Sequence, residues 1–189
     1  MQIPEQHEPK GWHSRGYIPH FNSPETIQHV VFRTADSLPS SLMDSLPVSA
    51  KERARNIDKI LDQGLGKASL TTGRAGQIIE GALLHFDRAR YRLLAWCIMP
   101  NHVHVVIEQS NGFGLGGVIH SWKRFSAREI NRLNKDAGKF WATDYFDRFI
   151  RDEDHFAKTI GYVERNPVKA GLCITPEAWL LSSTSRRLK

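Results

Sequence analysis

Two neighbouring apolar segments constrain the fold of this chain more than any other feature. They span residues 91–99 and 102–108, and the turn-forming pair Pro100-Asn101 separates them. Their β-branched and aromatic residues favour strands, so together they predict an antiparallel hairpin. Residues two apart in a strand share a face. His102 and His104 should therefore project together, while the valine between them faces the core.

Composition narrows the class of protein. The 189 residues suit one domain with appended arms, and a hydrophobic content of 40% is enough for a sizeable core. The net charge of +6 and the pI near 9.5 agree with a polyanionic partner. Cys97 and Cys173 lie in apolar sequence and are predicted to be small buried thiols in a reducing compartment. No membrane-spanning or signal segment is evident, so we expect a cytoplasmic protein.

The remaining patterns predict strands and helices in alternation, which favours an α+β antiparallel sheet over a doubly wound parallel one. Strands are expected over residues 28–35 and 140–150, and helices over 51–62, 75–88, 119–133 and 153–166, the last ended by Pro167. Residues 112–117 are predicted to be a glycine-rich linker, because the Lys-Ser/Thr ending of a phosphate loop is missing. We expect an irregular N-terminal arm over residues 1–27. The catalytic domain would be 28–189 and end in a basic tail with Arg186, Arg187 and Lys189.

Four residues could form a phosphoryl-transfer site. Tyr162 and Asn166 are four apart on the last predicted helix and share one face. Two strand histidines and an amide oxygen can bind a divalent cation, and a tyrosine can be a covalent nucleophile. Taken singly, each has a structural interpretation: a surface imidazole, a packed aromatic or a helix-end amide. Their joint occurrence predicts metal-assisted attack on phosphorus.

The surrounding motifs resemble those of the single-tyrosine HUH transposases, specifically the REP-associated tyrosine transposases related to insertion-sequence transposases. The segments that carry the resemblance are residues 11–21, 31–39, 99–104, 147–151, 162–172 and 176–183. The resemblance covers nearly the whole chain, and it implies a ferredoxin-like antiparallel sheet flanked by helices.

The resemblance also implies a chemistry. His102 and His104 would bind Mg²⁺ or Mn²⁺, and Asn166 would be the third ligand, where the insertion-sequence branch usually has glutamine. Tyr162 would cleave single-stranded DNA beside a REP-like hairpin, form a 5′-phosphotyrosine and leave a 3′-hydroxyl for rejoining. The same donor set also suits Zn²⁺, so the identity of the metal stays open.

Several further points stay open in the sequence. Glu153, Asp154 or a water molecule are the candidates for accepting the proton of Tyr162. His29 is predicted to be structural. Relatives of this type act as dimers, with the tyrosine helix working in trans, or as monomers.

Six residues are candidate DNA contacts, each with a solvated or packed alternative: Arg15, Tyr17, Lys123, Arg124, Arg128 and Arg148. The alternative function is a domesticated, non-catalytic REP hairpin-binding protein. A zinc-stabilised structural domain is disfavoured because cysteines near the histidines are missing. When bound to DNA, the protein would be associated with the nucleoid.

Overall fold

The structure is a computed structural model, and it describes residues 11–15, 18–23, 25–38, 50–67 and 69–187. The strands are β1 Gly11–Arg15, β2 Ile18–Asn22, β3 Ile27–Arg33, β4 Tyr91–Ile98, β5 His102–Gln109 and β6 Phe146–Phe149. The helices are α1 Ala50–Leu61, α2 Ala75–His85, α3 Leu115–Asn134, α4 Glu153–Lys169 and α5 Ser183–Arg187.

Four strands form one antiparallel sheet in the order β4-β5-β3-β6. The predicted hairpin is confirmed, since β4 and β5 pair directly across the turn at Pro100-Asn101. β3 lies beside β5, with Val31 opposite His104 and Arg33 opposite His102. This order is that of the ferredoxin-like β-α-β-β-α-β motif, so the predicted α+β class is confirmed.

The larger apolar core lies between one face of the sheet and helices α2 and α3. Val103 is fully buried there, so the valine between the two histidines faces the core as predicted. Tyr91 and Trp122 pack edge to face, and the indole Nε1–H of Trp122 donates to the Tyr91 hydroxyl at 2.8 Å. Close packing of this core holds β5 rigid, so the side chains on the other face of β5 have fixed positions.

Helices α1 and α4 cover the opposite face of the sheet with two smaller apolar clusters. Val163 of α4 packs with Cys97 and Val106, while Ile57 of α1 packs with Val31. Both histidines of β5 project from this face. The two helices therefore enclose the histidine pair between them.

The N-terminal arm differs from its predicted irregular form. β1 and β2 pair as an antiparallel ribbon, and β2 lies against β6, where the backbone N–H of Phe21 donates to Asp147 Oδ2 at 2.9 Å. Pro19 lies within β2, and a two-stranded ribbon tolerates proline because one edge of each strand needs no hydrogen bond. The domain boundary between residues 27 and 28 stays a prediction.

Two element boundaries inside the domain were predicted wrongly. α3 begins at Leu115 inside the expected linker, because burial of Leu115 and Val118 outweighs the poor helix propensity of the neighbouring glycines. The strand expected over 140–150 is confined to Phe146–Phe149. Trp141 pairs with Thr34 only as an isolated bridge, and residues 142–145 after it are not in a strand. The Trp141 ring turns into the core, where its indole Nε1–H donates to Ser126 Oγ at 3.0 Å.

The C-terminal part holds one further correction, at Pro167. α4 continues through Pro167 to Lys169, because proline removes one N–H but leaves its carbonyl, which accepts from Leu172 at 2.8 Å. Arg186 lies at the end of the chain, in α5, and its guanidinium pairs with Glu80 at 2.7 and 2.9 Å. Lys189 lies outside the described residues.

The cysteines behave in two different ways. Cys97 is buried as predicted, whereas Cys173 is only partly buried, because it follows the end of α4 in an exposed turn. Over the part of the chain that is described, we find no helix with the length and apolar character needed to cross a bilayer.

Candidate metal and nucleophile site

The two histidines of β5 meet in a fully buried position. His102 Nε2 and His104 Nε2 are 2.9 Å apart, and both side chains have no exposed surface. Burial lowers the pKa of His102 to about 3 and holds that of His104 well below its usual value. Both imidazoles are therefore neutral near pH 7, which is the form that binds a metal ion.

Asn101 sets the tautomer of His102. The Asn101 amide donates from Nδ2 to the carbonyl of Leu65 at 2.9 Å, so its Oδ1 is the atom that faces His102 Nδ1 at 2.7 Å. Because Oδ1 can only accept, His102 carries its proton on Nδ1. Its Nε2 lone pair is left facing into the site, which is the orienting contact that metal-bound histidines require.

His29 of β3 orients His104 in the same way that Asn101 orients His102. Its Nε2 lies 3.1 Å from His104 Nδ1, with the two rings stacked at 5.3 Å. A proton on His104 Nδ1 donated to His29 leaves His104 Nε2 available for a cation. Burial, and then the charge of Arg148, lower the pKa of His29 to about 4, so this acceptor is neutral as well.

Asn166 reaches the same point from α4. Its amide nitrogen lies 3.1 Å from His104 Nε2, and its side chain is fully buried. The amide oxygen, Oδ1, has no hydrogen-bond partner. Amide oxygen and nitrogen are assigned from hydrogen bonding alone, and a half-turn of this group would direct the unpaired oxygen at the histidines.

Tyr162 lies one helical turn before Asn166 and contacts both histidine strands. Its half-buried ring is edge-on to His104 at 5.6 Å and to His29 at 6.0 Å. Burial, and then the charges of Asp58 and Asp62, raise the pKa of the Tyr162 hydroxyl above its usual range. The hydroxyl is therefore protonated at neutral pH and needs a proton acceptor before it can attack.

Helix α1 brings two carboxylates to this group. The Tyr162 hydroxyl donates to Asp58 Oδ2 at 3.3 Å. Asp62, one turn later, accepts from Lys169 Nζ at 3.1 Å through Oδ2. Its other oxygen, Oδ1, is buried without a hydrogen-bond partner and lies 4.0 Å from His102 Nε2.

These donors fit a divalent cation. Two atoms that bind one ion at about 2.1 Å lie about 3 Å apart when adjacent and about 4.2 Å apart when opposite. The separations of 2.9, 3.1 and 4.0 Å given above fall in this range. The unpaired oxygens of Asn166 and Asp62 are the kind of acceptors that a hard cation satisfies. Within the described residues no three His, Cys, Asp or Glu side chains form such a group alone, so the amide is needed.

An open groove runs along the outer side of α4 past Tyr162. Its volume is about 630 Å³, and Tyr162 and Gly161 lie on its floor. Three cationic side chains also line it: Lys158, Arg165 and Lys169. A Cβ at Gly161 would come within 3.3 Å of the Arg165 guanidinium, so glycine leaves room for that side chain.

Among the six predicted DNA contacts, the four whose side chains the structure describes do not form one surface around this groove. Lys123 is engaged, because its Nζ donates to the carbonyls of Ala142 and Thr143 at 2.6 and 3.0 Å. Arg124 and Arg128 are exposed on α3, across the sheet from Tyr162. Arg148 is exposed on β6, opposite His29 in the register. The Arg15 side chain and Tyr17 lie outside the described residues, so all six contacts stay predictions.

Sequence reasoning missed four residues around the site. The sequence predicted a structural role for His29 and a turn position for Asn101. In the structure Asn101 contacts the ring of His102 and His29 contacts the ring of His104, so both residues orient the metal-site histidines. Asp58 and Asp62 follow the apolar residues of α1 at a four-residue spacing, which places them together at one edge of its buried face. That spacing was the available signal. The predicted acceptors Glu153 and Asp154 are 8 to 9 residues before Tyr162 on α4, about 12–14 Å along the helix.

Comparison with solved structures concerns the fold of this chain. A REP-associated tyrosine transposase solved in complex with a REP hairpin superposes with a TM-score of 0.63 at 15% identity, over 89% of this chain and 82% of that one. A protein of Deinococcus radiodurans named as a transposase gives a TM-score of 0.38 at 15% identity, over 82% and 96%.

Sequence comparison identifies the family. A Haemophilus influenzae protein named as a REP-associated tyrosine transposase is 25% identical over 109 residues, which are 52% of this chain and 62% of that relative. This chain thus spans less than two thirds of that relative's length. The profile of the family described as Transposase IS200 like matches residues 71–166, which include His102, His104, Tyr162 and Asn166. The chain therefore belongs to the IS200-like transposase family.

Proposed function

We propose that the protein is a transposase that cleaves and rejoins single-stranded DNA through Tyr162. One observation carries the proposal: a buried cluster of two neutral imidazoles and an unpaired amide oxygen lies directly against a tyrosine ring. Metal ligands next to a hydroxyl nucleophile are the components of phosphoryl transfer.

The metal would be held by His102 Nε2, His104 Nε2 and the amide oxygen of Asn166. Mg²⁺ and Mn²⁺ are the candidates. When bound, the ion would polarise the scissile phosphate and neutralise its developing charge. Asp62 adds the negative charge that the three neutral ligands lack, because its unpaired oxygen faces His102.

Tyr162 would perform the covalent step. Its hydroxyl oxygen forms a bond to phosphorus as the bond to the 3′ oxygen breaks, and the product is a 5′-phosphotyrosine with a free 3′-hydroxyl. The helix holds Tyr162 and Asn166 on one face, so the nucleophile and the metal ligand have a fixed relative position. Attack of a 3′-hydroxyl on the phosphotyrosine would reverse the step and rejoin the strand without a nucleotide cofactor.

The substrate would be DNA with a REP-like hairpin beside a single-stranded segment. The named relatives support this, since one is a REP-associated tyrosine transposase bound to a REP hairpin. The cationic groove of α4 leads past Tyr162 and suits the phosphates of the single strand. We propose that this groove receives the scissile strand, in the nucleoid where the substrate lies.

A cleavage assay tests the proposal. Labelled oligonucleotides that carry hairpins from the DNA flanking the gene are incubated with the protein and Mg²⁺, Mn²⁺ or EDTA, then resolved on a denaturing gel. The proposal predicts metal-dependent nicking at one position. Hairpin binding with no cleavage under any metal would instead identify a domesticated, non-catalytic REP hairpin-binding protein.

A further inference from the structure

The hydroxyl of Tyr162 has a specific partner on another helix. It donates to Asp58 Oδ2 of α1 at 3.3 Å, across 104 residues of sequence. α1 lies before residues 71–166, the segment that matches the family. We propose that Asp58 is the catalytic proton acceptor for Tyr162, an inference that rests on the proposed function.

The surroundings of Asp58 suit this role. Burial, and then the negative charge of Asp62, raise its pKa to about 6. The hydrogen bond from Tyr162 and the charge of Lys169 act in the opposite direction. A carboxylate with a pKa just below neutrality is ionised at pH 7 and is also a stronger base than an ordinary aspartate.

Asp58 of α1 and Asp62, which directly follows the last residue of α1, have separate partners. Asp62 uses one oxygen for Lys169, and its other oxygen faces His102 on the metal side of the site. Asp58 faces the nucleophile. Because the two carboxylates are one helical turn apart, their mutual repulsion contributes to the raised pKa of Asp58.

The proton transfer balances in both directions. On cleavage, the Tyr162 proton moves to the Asp58 carboxylate as the tyrosine oxygen bonds to phosphorus. The 3′ oxygen leaves with the electron pair of its broken bond and takes a proton from water. On rejoining, the 3′-hydroxyl loses its proton to water, and protonated Asp58 returns a proton to the departing tyrosine oxygen.

The test compares Asp58→Asn with Asp136→Asn, which makes the same chemical change at an exposed position just after α3. We expect Asp58→Asn to slow formation of the protein–DNA adduct by about 10²–10⁴-fold, the usual contribution of a general base. The wild-type rate should rise with pH through about 6 and level off, and this rise should be lost in the variant. Asp136→Asn should keep the rate and the profile.

Hairpin binding and Mn²⁺ binding control for folding, and both should be unchanged in Asp58→Asn. A variant that forms adduct at the wild-type rate with the wild-type pH profile would overturn the role of Asp58 alone. A rate loss that is accompanied by an unaltered pH profile would also overturn it, because a structural contact does not titrate. Absence of adduct from the wild-type protein would overturn the proposed function, and the role of Asp58 with it.

Discussion

A single side chain, Asn101, decides which nitrogen of His102 faces the site. Its amide is fixed by the bond to the Leu65 carbonyl, and that orientation makes its oxygen the acceptor for His102 Nδ1. The metal-facing lone pair of His102 therefore depends on a neighbour that binds no metal itself. Partners of this kind usually contribute 10–100-fold to metal affinity, roughly as much as a weak ligand.

Replacement of Asn101 tests this dependence. We expect Asn101→Ala to weaken Mn²⁺ binding by about 10–100-fold, because the His102 ring loses its orienting acceptor. Isothermal titration with Mn²⁺ measures the effect. Asn131→Ala is the matched control, since that amide also donates to a backbone carbonyl, at 3.1 Å, but lies exposed at the end of α3. Equal affinities for the two variants would contradict the assigned tautomer.

The buried carboxylate of Asp58 should lower stability at neutral pH. Its folded-state pKa, about 6, is raised from 3.8, so the folded state holds this proton more tightly than the unfolded state does. Its contribution to stability is therefore complete below pH 4 and is lost as the pH rises through 6. Asp58→Asn should raise the free energy of unfolding by about 1–2 kcal/mol at pH 7, after allowance for partial exposure, and by little at pH 4.

Urea denaturation at the two pH values measures this difference. A stability change that is the same at pH 4 and pH 7 would contradict the raised pKa of Asp58. If Asp58→Asn has a higher free energy of unfolding at pH 7 and also cleaves DNA more slowly, then the native aspartate lowers stability but supports activity, as is common at functional sites.

The residues predicted from sequence differ from those that were missed in one physical respect. His102 and His104 are two apart on a strand, and Tyr162 and Asn166 are four apart on a helix, so local periodicity places each pair on one face. Asp58 reaches Tyr162 only through the packing of α1 beside α4, a contact that local periodicity does not determine. The family match begins after α1, so it did not identify Asp58 either.

Among the elements, α4 carries most of the site. Arg165 and Asn166 follow Tyr162 by three and four residues, and Lys169 follows those two by four and three, so one side of the helix presents nucleophile, metal ligand and cations together. Continuation of the helix through Pro167 is what brings Lys169 to this side, where it lies 5.4 Å from the Tyr162 ring. A helix ending at Asn166, as the proline suggested, would not have fixed that cation.

Substitution of one arginine on each surface, Arg165 on α4 and Arg124 on α3, tests which of the two surfaces binds the single strand. We expect Arg165→Ala to weaken binding of a single-stranded oligonucleotide and to reduce the dependence of log Kd on log salt by about one. Arg124→Ala, the matched change on α3, should have a smaller effect on both. Fluorescence anisotropy at several salt concentrations, with a Tyr162→Phe background to prevent cleavage, provides the measurement. A larger effect of Arg124→Ala than of Arg165→Ala would show that the single-stranded DNA binds to α3 instead.

Element prediction from the sequence succeeded where periodicity and turn chemistry agreed. The β4–β5 hairpin was predicted because apolar strands flank a Pro-Asn turn. The start of α3 was missed because glycines at 116 and 117 suggest a loop, whereas burial of Leu115 extends the helix. Tertiary packing overrode local propensity there.

At the scale of the whole molecule, one chain supplies both halves of the site. The histidines of β5 and the tyrosine of α4 come together without a second copy. This geometry predicts that each chain uses its own tyrosine in cis, rather than a tyrosine on a helix exchanged with a second chain.

A mixing experiment separates these arrangements. Tyr162→Phe and His104→Ala should each be inactive, and an equimolar mixture should remain inactive if every chain uses its own tyrosine. Exchanged helices would combine one intact histidine pair with one intact tyrosine and restore cleavage to the mixture. Cleavage on a denaturing gel distinguishes the two, and wild-type protein diluted with either variant is the control for inhibition by mixing.

The most direct measurement of the central claim is the identity of the residue that becomes bound to DNA. Wild-type protein is incubated with Mn²⁺ and a hairpin oligonucleotide from the DNA flanking the gene, digested with protease, and analysed by mass spectrometry. We predict a 5′-phosphonucleotide on Tyr162, and its loss together with cleavage in Tyr162→Phe while hairpin binding persists. An adduct on another residue, or cleavage by Tyr162→Phe at the wild-type rate, would contradict the account.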